Sequence, residues 1–134
     1  MNAYINLPVA DLDRSRAFFE ALGFTFNETF CDDTGIAMII NDACHVMLLT
    51  HEKFASFTPK AIADAHKTSE TLVAVQLDSR DAVDRMVATA LANGGSGVQP
   101  SQDHGFLYGH SFADPDGHIW EPIWMNLDAI GGAS

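Results

Sequence analysis

Two halves of this chain carry the same series of local signals, and that duplication restricts the fold more than any other feature. Leu7-Pro8-Val9-Ala10-Asp11 leads into a helical run that ends at Leu22-Gly23-Phe24. Val75-Gln76-Leu77-Asp78 leads into a second helical run that ends at Leu91-Ala92-Asn93-Gly94-Gly95. Asp11 and Asp78 lie half a chain length apart. A strand and helix repeated once at that spacing describe a duplicated unit, not a solenoid, which needs more copies to bury a continuous core.

Each half adds strands after its helix. Residues 4–9 alternate, Asp11 is a good helix cap, and Leu12, Phe18, Phe19 and Leu22 recur at helical spacing before Gly23. Strand-like runs follow at about 24–31, 35–40 and 44–50, with Thr34-Gly35 and Asn41-Asp42 as turns. In the second half, 71–77 reads as a strand and Asp78 as a cap. Val83, Met86, Val87, Ala90 and Leu91 form the stripe of a core-facing helix. Strands near 97–101, 106–113 and 118–125 complete it. The order predicts an α+β fold of two βαβββ modules, with helices on one face of the sheet. One domain over residues 1–126 is expected. It has a first module at about 1–50, a linker at about 51–70, a second module at about 71–126 and a frayed tail at 127–134.

Composition removes several classes of function. A net charge of −11 with only seven Lys and Arg argues against nucleic acid, which requires clustered cations to replace phosphate counterions. No apolar run is long enough to span a bilayer, and the N-terminus lacks the basic and apolar segments of a signal peptide. Cys31 and Cys44 fit neither a disulfide framework nor a metal motif, so reduced thiols and a cytoplasmic location are expected. Gly94-Gly95-Ser96-Gly97 follows a helix instead of preceding one, which makes it a helix stop and not a phosphate cradle.

Strand parity sorts the remaining polar residues. Ile5, Leu7 and Val9 are expected to face the helix, leaving Tyr4, Asn6 and Pro8 opposite. Val73, Val75 and Leu77 do the same, leaving Leu72, Ala74 and Gln76. Turning the last hairpin on Asp114-Pro115-Asp116-Gly117 pairs Ala113 with His118 and His110 with Glu121. That register groups Tyr108, His110 and Phe112 with Ile119, Glu121 and Ile123.

Val9-Ala10-Asp11-Leu12-Asp13-Arg14-Ser15-Arg16-Ala17-Phe18-Phe19 with Leu22-Gly23-Phe24 resembles the opening of the vicinal oxygen chelate superfamily. That superfamily includes glyoxalase I, extradiol dioxygenases, and fosfomycin and bleomycin resistance proteins. Asp114-Pro115-Asp116-Gly117 with Glu121 resembles its closing signature. Gln102-Asp103-His104-Gly105-Phe106 and Gly117-His118-Ile119-Trp120-Glu121 are similar to its lactoylglutathione lyase-like branch. The resemblance implies a sheet curled into a cup with helices outside, a ligand on the concave face, and a homodimer. In metal-dependent members four strand positions supply ligands. By motif they fall here on Tyr4, Leu48, Leu72 and Glu121, and leucine cannot ligate a metal. No metal and no other cofactor is therefore expected.

Two functions follow as expectations. One is a lyase or isomerase of a small oxygenated or thiol-adduct metabolite, with Glu121 and His110 catalytic by acid–base chemistry. The other is a binding protein that sequesters a small molecule or drug, as bleomycin resistance proteins do. In both, Tyr4, Asn6, Leu48, Leu72, Gln76, Tyr108 and His104 line the ligand site. The expected partners are a small-molecule ligand and a second copy of the chain, with no nucleic acid and no membrane.

Overall fold

The duplicated order is realised in the computed structural model, which describes residues 1–131. The chain divides into two compact units, one ending at Thr68 and the other beginning at Ser69.

The first unit runs β1 (Ala3–Val9), α1 (Leu12–Ala21), β2 (Thr25–Phe26), β3 (Gly35–Asn41), β4 (Cys44–Thr50) and α2 (His51–Ala55). Its sheet has the order β1-β4-β3-β2. β1 lies parallel to β4, and the other pairs are antiparallel. Asp11 caps α1 by accepting the Arg14 amide, and Gly23 at φ 96° provides the left-handed residue that ends it. The strand expected over 24–31 is cut short. After β2 the chain turns through a short 3₁₀ segment, Glu28–Phe30, because the Asn27 side chain accepts the Thr29 amide and offers the backbone a local alternative to the ladder.

The second unit runs β5 (Leu72–Gln76), α3 (Arg80–Ala92), β6 (Ser96–Gly97), β7 (Gln102–Asp103), β8 (Leu107–Gly109), β9 (Phe112–Ala113), β10 (Ile119–Met125) and α4 (Leu127–Gly131). β8 and β9 pair with β10 in one unbroken register, so they behave as two pieces of a single strand. β7 and β6 pair with those pieces in turn, and β5 lies parallel to β10 on its other side. Order and direction therefore repeat the first unit. The cap of α3 is Ser79, whose hydroxyl accepts the Ala82 amide, and not Asp78 one residue earlier. Both residue types cap well, and the chain uses the one nearer the helix. The expected tail opens with α4, and 132–134 lie outside the described residues.

Each core lies between a sheet and its helix. In the first unit Phe18 and Phe19 of α1 are buried with Leu7, Val9, Ile36, Met38, Val46 and Leu48. In the second, Val83, Val87 and Ala90 of α3 are buried with Val73, Val75, Phe112 and Trp120. Burial alternates along β5, so the expected split of Val73 and Val75 from Leu72, Ala74 and Gln76 is observed.

Candidate functional site

The β9–β10 turn sets the site, because it decides which side chains share a face with Glu121. Asp114 and His118 form the closing pair, with the Asp114 amide donating to the His118 carbonyl at 2.9 Å. The Gly117 amide donates back to the Asp114 carbonyl, and Gly117 sits at φ 88°. This is a three-residue loop ending in a left-handed glycine, which adds a residue to one strand. Asp114 holds it together. One carboxylate oxygen accepts the Asp116 and His118 amides and the other accepts Trp120 Nε1 at 3.1 Å.

The extra residue moves the register by one. Ala113 pairs with Ile119, not His118, and Gly109 pairs with Ile123. The same register between those pairs sets Ser111 opposite Glu121 and His110 opposite Pro122, and the His110 amide donates to the Pro122 carbonyl. The expected pairing of His110 with Glu121 is therefore corrected, and with it the grouping of Tyr108 with Glu121, since a one-residue slip exchanges faces. Tyr108 and His110 face α3 instead. The Tyr108 hydroxyl donates to Asp84 Oδ1 at 2.6 Å, and His110 Nδ1 lies 3.7 Å from the same oxygen. The Asp84 carboxylate pushes the Tyr108 phenol above its ordinary value.

On the other face of this sheet Glu121 looks into a hollow of about 120 Å³. Its lining includes Gln99, Gln102, Gly109, His110, Ser111 and Ile123. Sequence reasoning missed Gln99, Ser111, Gly109 and Ile123 as site residues. The signal that identifies Ser111 and Gly109 is the glycine at the end of Asp114-Pro115-Asp116-Gly117, read as a bulge. Ile123 follows from strand parity with Glu121, and no sequence signal marks Gln99. Leu72 and Gln76 of β5 lie on the same sheet face, opposite Ile119 and Ile123, and Glu121 lies opposite Ala74. His104 lies in the exposed β7–β8 loop, where its amide donates to the Leu107 carbonyl.

The wall of the hollow is tied down from outside. Arg80 donates to the Asp103 carboxylate and the Gly105 carbonyl while its guanidinium lies over the rings of Tyr108 and Trp124. The Arg80 hydrogen bond holds the Asp103 carboxyl below its ordinary 3.8. A lowered carboxyl contributes stability above its unfolded pKa and loses it as pH falls through the folded value. Trp124 emission is thus expected to change in acid below about pH 3.8, and Asp103→Asn to remove that transition. A variant that titrates like the parent would dissociate Trp124 from this clamp.

In the first unit Tyr4 and Asn6 are exposed on the helix-free face, with Tyr4 59% exposed and stacked on His45 at 5.5 Å. Leu48 is not on that face. It pairs with Leu7 and Ile36, faces α1 and is 0% exposed, so its expected role in lining a ligand site is corrected. Of the four positions tied to metal by resemblance, Leu48 is core and Leu72 has no donor atom. Among the described residues no three His, Cys, Asp or Glu side chains converge. The donor set does not fit a metal centre of the glyoxalase kind.

Comparison with known proteins agrees with this architecture. A hypothetical protein from S. aureus superposes with a TM-score of 0.80 at 25% identity, over 92% of this chain and 93% of that one. A glyoxalase-related enzyme from Fulvimarina pelagi gives 0.78 at 22% identity, over 92% and 87%. The fosfomycin resistance protein FosX from Mesorhizobium loti gives 0.69 at 17% identity, over 97% and 96%. No curated protein matches the sequence. The sequence profile of one family matches residues 3–121, nearly the whole chain, and the chain belongs to that family: the Glyoxalase/Bleomycin resistance protein/Dioxygenase superfamily.

Proposed function

We propose that this chain is a small-molecule-binding protein whose second unit holds its ligand in the hollow at Glu121. The observation that carries the reading is Glu121 itself. It is partly buried in a concave, mixed polar and apolar surface, and among the described residues no hydrogen bond or ion pair engages its carboxylate. A carboxylate so placed, beside Gln99, Gln102 and Ser111, leaves its lone pairs open to a donor from a ligand. The lyase or isomerase reading needs a second group to carry the proton, and the group assigned to it, His110, is directed at Asp84 across the sheet. Binding therefore has the stronger support.

The test is a fragment screen against the ¹⁵N-labelled chain, using small amines, amides and carboxylic acids. Binding fragments are expected to shift the amides of Ser111, Glu121 and Ile123. Glu121→Gln is expected to weaken the best of them about tenfold, since charge-assisted hydrogen bonds are roughly twice as strong as neutral ones. Shifts confined to other surfaces would end this assignment. The same reading has the protein working in the cytoplasm, where Cys31 and Cys44 remain free thiols. It also has it working as a homodimer, supported by exposed apolar side chains such as Leu72 on the sheet. Sedimentation at micromolar concentration is expected to give twice the 14.5 kDa chain mass; a monomer would reject the dimer.

A further inference from the structure

The hollow has two chemically different ends, and their separation restricts what can occupy it. At one end is the Glu121 carboxylate. Its neighbours across the strands are small, Ser111 on one side and Ala74 on the other, so nothing on the sheet covers it. No Lys or Arg lines the hollow. Arg80, whose side chain reaches the β7–β8 loop, is committed to Asp103 and the Gly105 carbonyl. Gln99, Gln102 and Ser111 can each accept further hydrogen bonds from a ligand.

At the other end is Ile123, two residues along β10 and therefore on the same face. Its cross-strand partner is Gly109, which leaves a notch beside the isoleucine. A Cβ built on Gly109 would meet Ile123 Cγ2 at 3.5 Å, ordinary van der Waals distance, so a methyl-sized group fits against it. Two residues of strand separate carboxylate and notch by ~6.6 Å, the reach of a short alkyl chain. A volume of about 120 Å³ holds such a chain with one head group.

Resting on the binding function proposed above, we infer that the ligand class is a small amphiphilic cation. A guanidinium or ammonium head meets Glu121, and a short alkyl tail lies over Ile123 in the notch left by Gly109. The formal net charge of −11 favours the approach of such a cation. A planar guanidinium is the better head, because its N–H groups can engage both carboxylate oxygens together.

The experiment titrates the full ¹⁵N-labelled chain with n-butylguanidinium, n-butylammonium, butyramide, butyrate and guanidinium alone. n-Butylguanidinium is expected to bind at least about tenfold more tightly than butyramide, with butyrate not binding. Glu121→Gln should reduce n-butylguanidinium to the level of butyramide. Gly109→Ala fills the notch at a position with no positive φ, and should weaken n-butylguanidinium while leaving guanidinium alone unchanged. Butyramide binding as well as n-butylguanidinium, with shifts at Ser111, Glu121 and Ile123, would overturn the cation class and leave the hollow as a binding site. Absence of shifts at those amides with any probe, neutral or charged, would overturn both. If Gly109→Ala fails to fold, the Glu121→Gln comparison still decides the head group.

Discussion

Replacing Asp114 by alanine is expected to destabilise the protein by about 3–5 kcal/mol, among the largest effects a single side chain can have here. Asp114 is 3% exposed and its two oxygens accept three N–H donors: the Asp116 amide, the His118 amide and Trp120 Nε1. Hydrogen bonds to a charged group contribute about 1.5–3 kcal/mol each, and losing the acceptor strands donors in a place water cannot reach. Full addition of three such bonds would overshoot, because the carboxylate itself is desolvated. Burial pushes its carboxyl above the ordinary 3.8, against the opposing pull of His118 and Trp120. With a raised carboxyl, the folded chain holds the proton longer than the unfolded chain. This group's titration therefore favours the fold most below about pH 3.8 and less as pH rises through the shifted value. Asp114→Asn keeps the shape but turns an NH₂ toward one of the donors, so it should also destabilise, by about 2 kcal/mol. Urea unfolding at neutral pH measures both, read as a change in midpoint with unchanged slope. A loss under about 1 kcal/mol for alanine would mean that the turn does not depend on this carboxylate.

The same turn explains why the site was only partly legible in the sequence. The duplication, the Asp11 cap, Gly23 and most of the α3 stripe depend on short-range patterns and appear in the structure. In that stripe Val83, Val87 and Ala90 are buried, while Leu91, at its end, is 49% exposed. The alternation in β1 and β5 was equally readable, since β-branched and leucine residues recur at every second position, Ile5, Leu7 and Val9 in one and Val73 and Val75 in the other. The pairing of β9 with β10 depends instead on whether the loop holds three residues or four. Asp114-Pro115-Asp116-Gly117 is compatible with either on composition. Trp120 decides it: its Nε1 reaches Asp114 only when Trp120 lies on the core face, which sends Glu121 to the other. No local rule contains that long side chain's preference. Leu48 escaped for another reason. β4 is apolar at Val46, Met47, Leu48 and Leu49 in succession, so parity had no contrast to read. Its face is set by the parallel register with β1, which pairs Leu48 with Leu7. The choice of Ser79 over Asp78 as a cap is a one-residue difference between two adequate residues, the scale at which helix ends are least determined.

A second large effect separates the two leucines that resemblance places at ligand positions of the family, Leu48 in β4 and Leu72 in β5. Leu48→Ala is expected to cost about 3 kcal/mol, within the range for removing a buried leucine and leaving a cavity. Leu48 is 0% exposed and belongs to the same strand face as Leu7, Ile36 and Val46, over which the buried aromatic residues of α1 pack. Those neighbours are held by strand pairing and cannot close the gap without breaking hydrogen bonds. Leu72→Ala should cost under about 0.5 kcal/mol, the usual range for a surface change. Leu72 is 56% exposed at the edge of β5, facing away from α3. In thermal unfolding the first change should lower the midpoint by roughly 10 °C and the second by a degree or two. The contrast tests face assignment and not merely hydrophobicity, because both substitutions remove the same atoms from the same residue type. Equal losses would mean that the two strands present their leucines alike and that the face assigned to β4 from its register with β1 is wrong. A stable Leu72→Ala that alters fragment binding at Glu121 would instead extend the hollow along β5. Leu48→Ala cannot do this by direct contact, since its side chain lies on the core side of its own sheet.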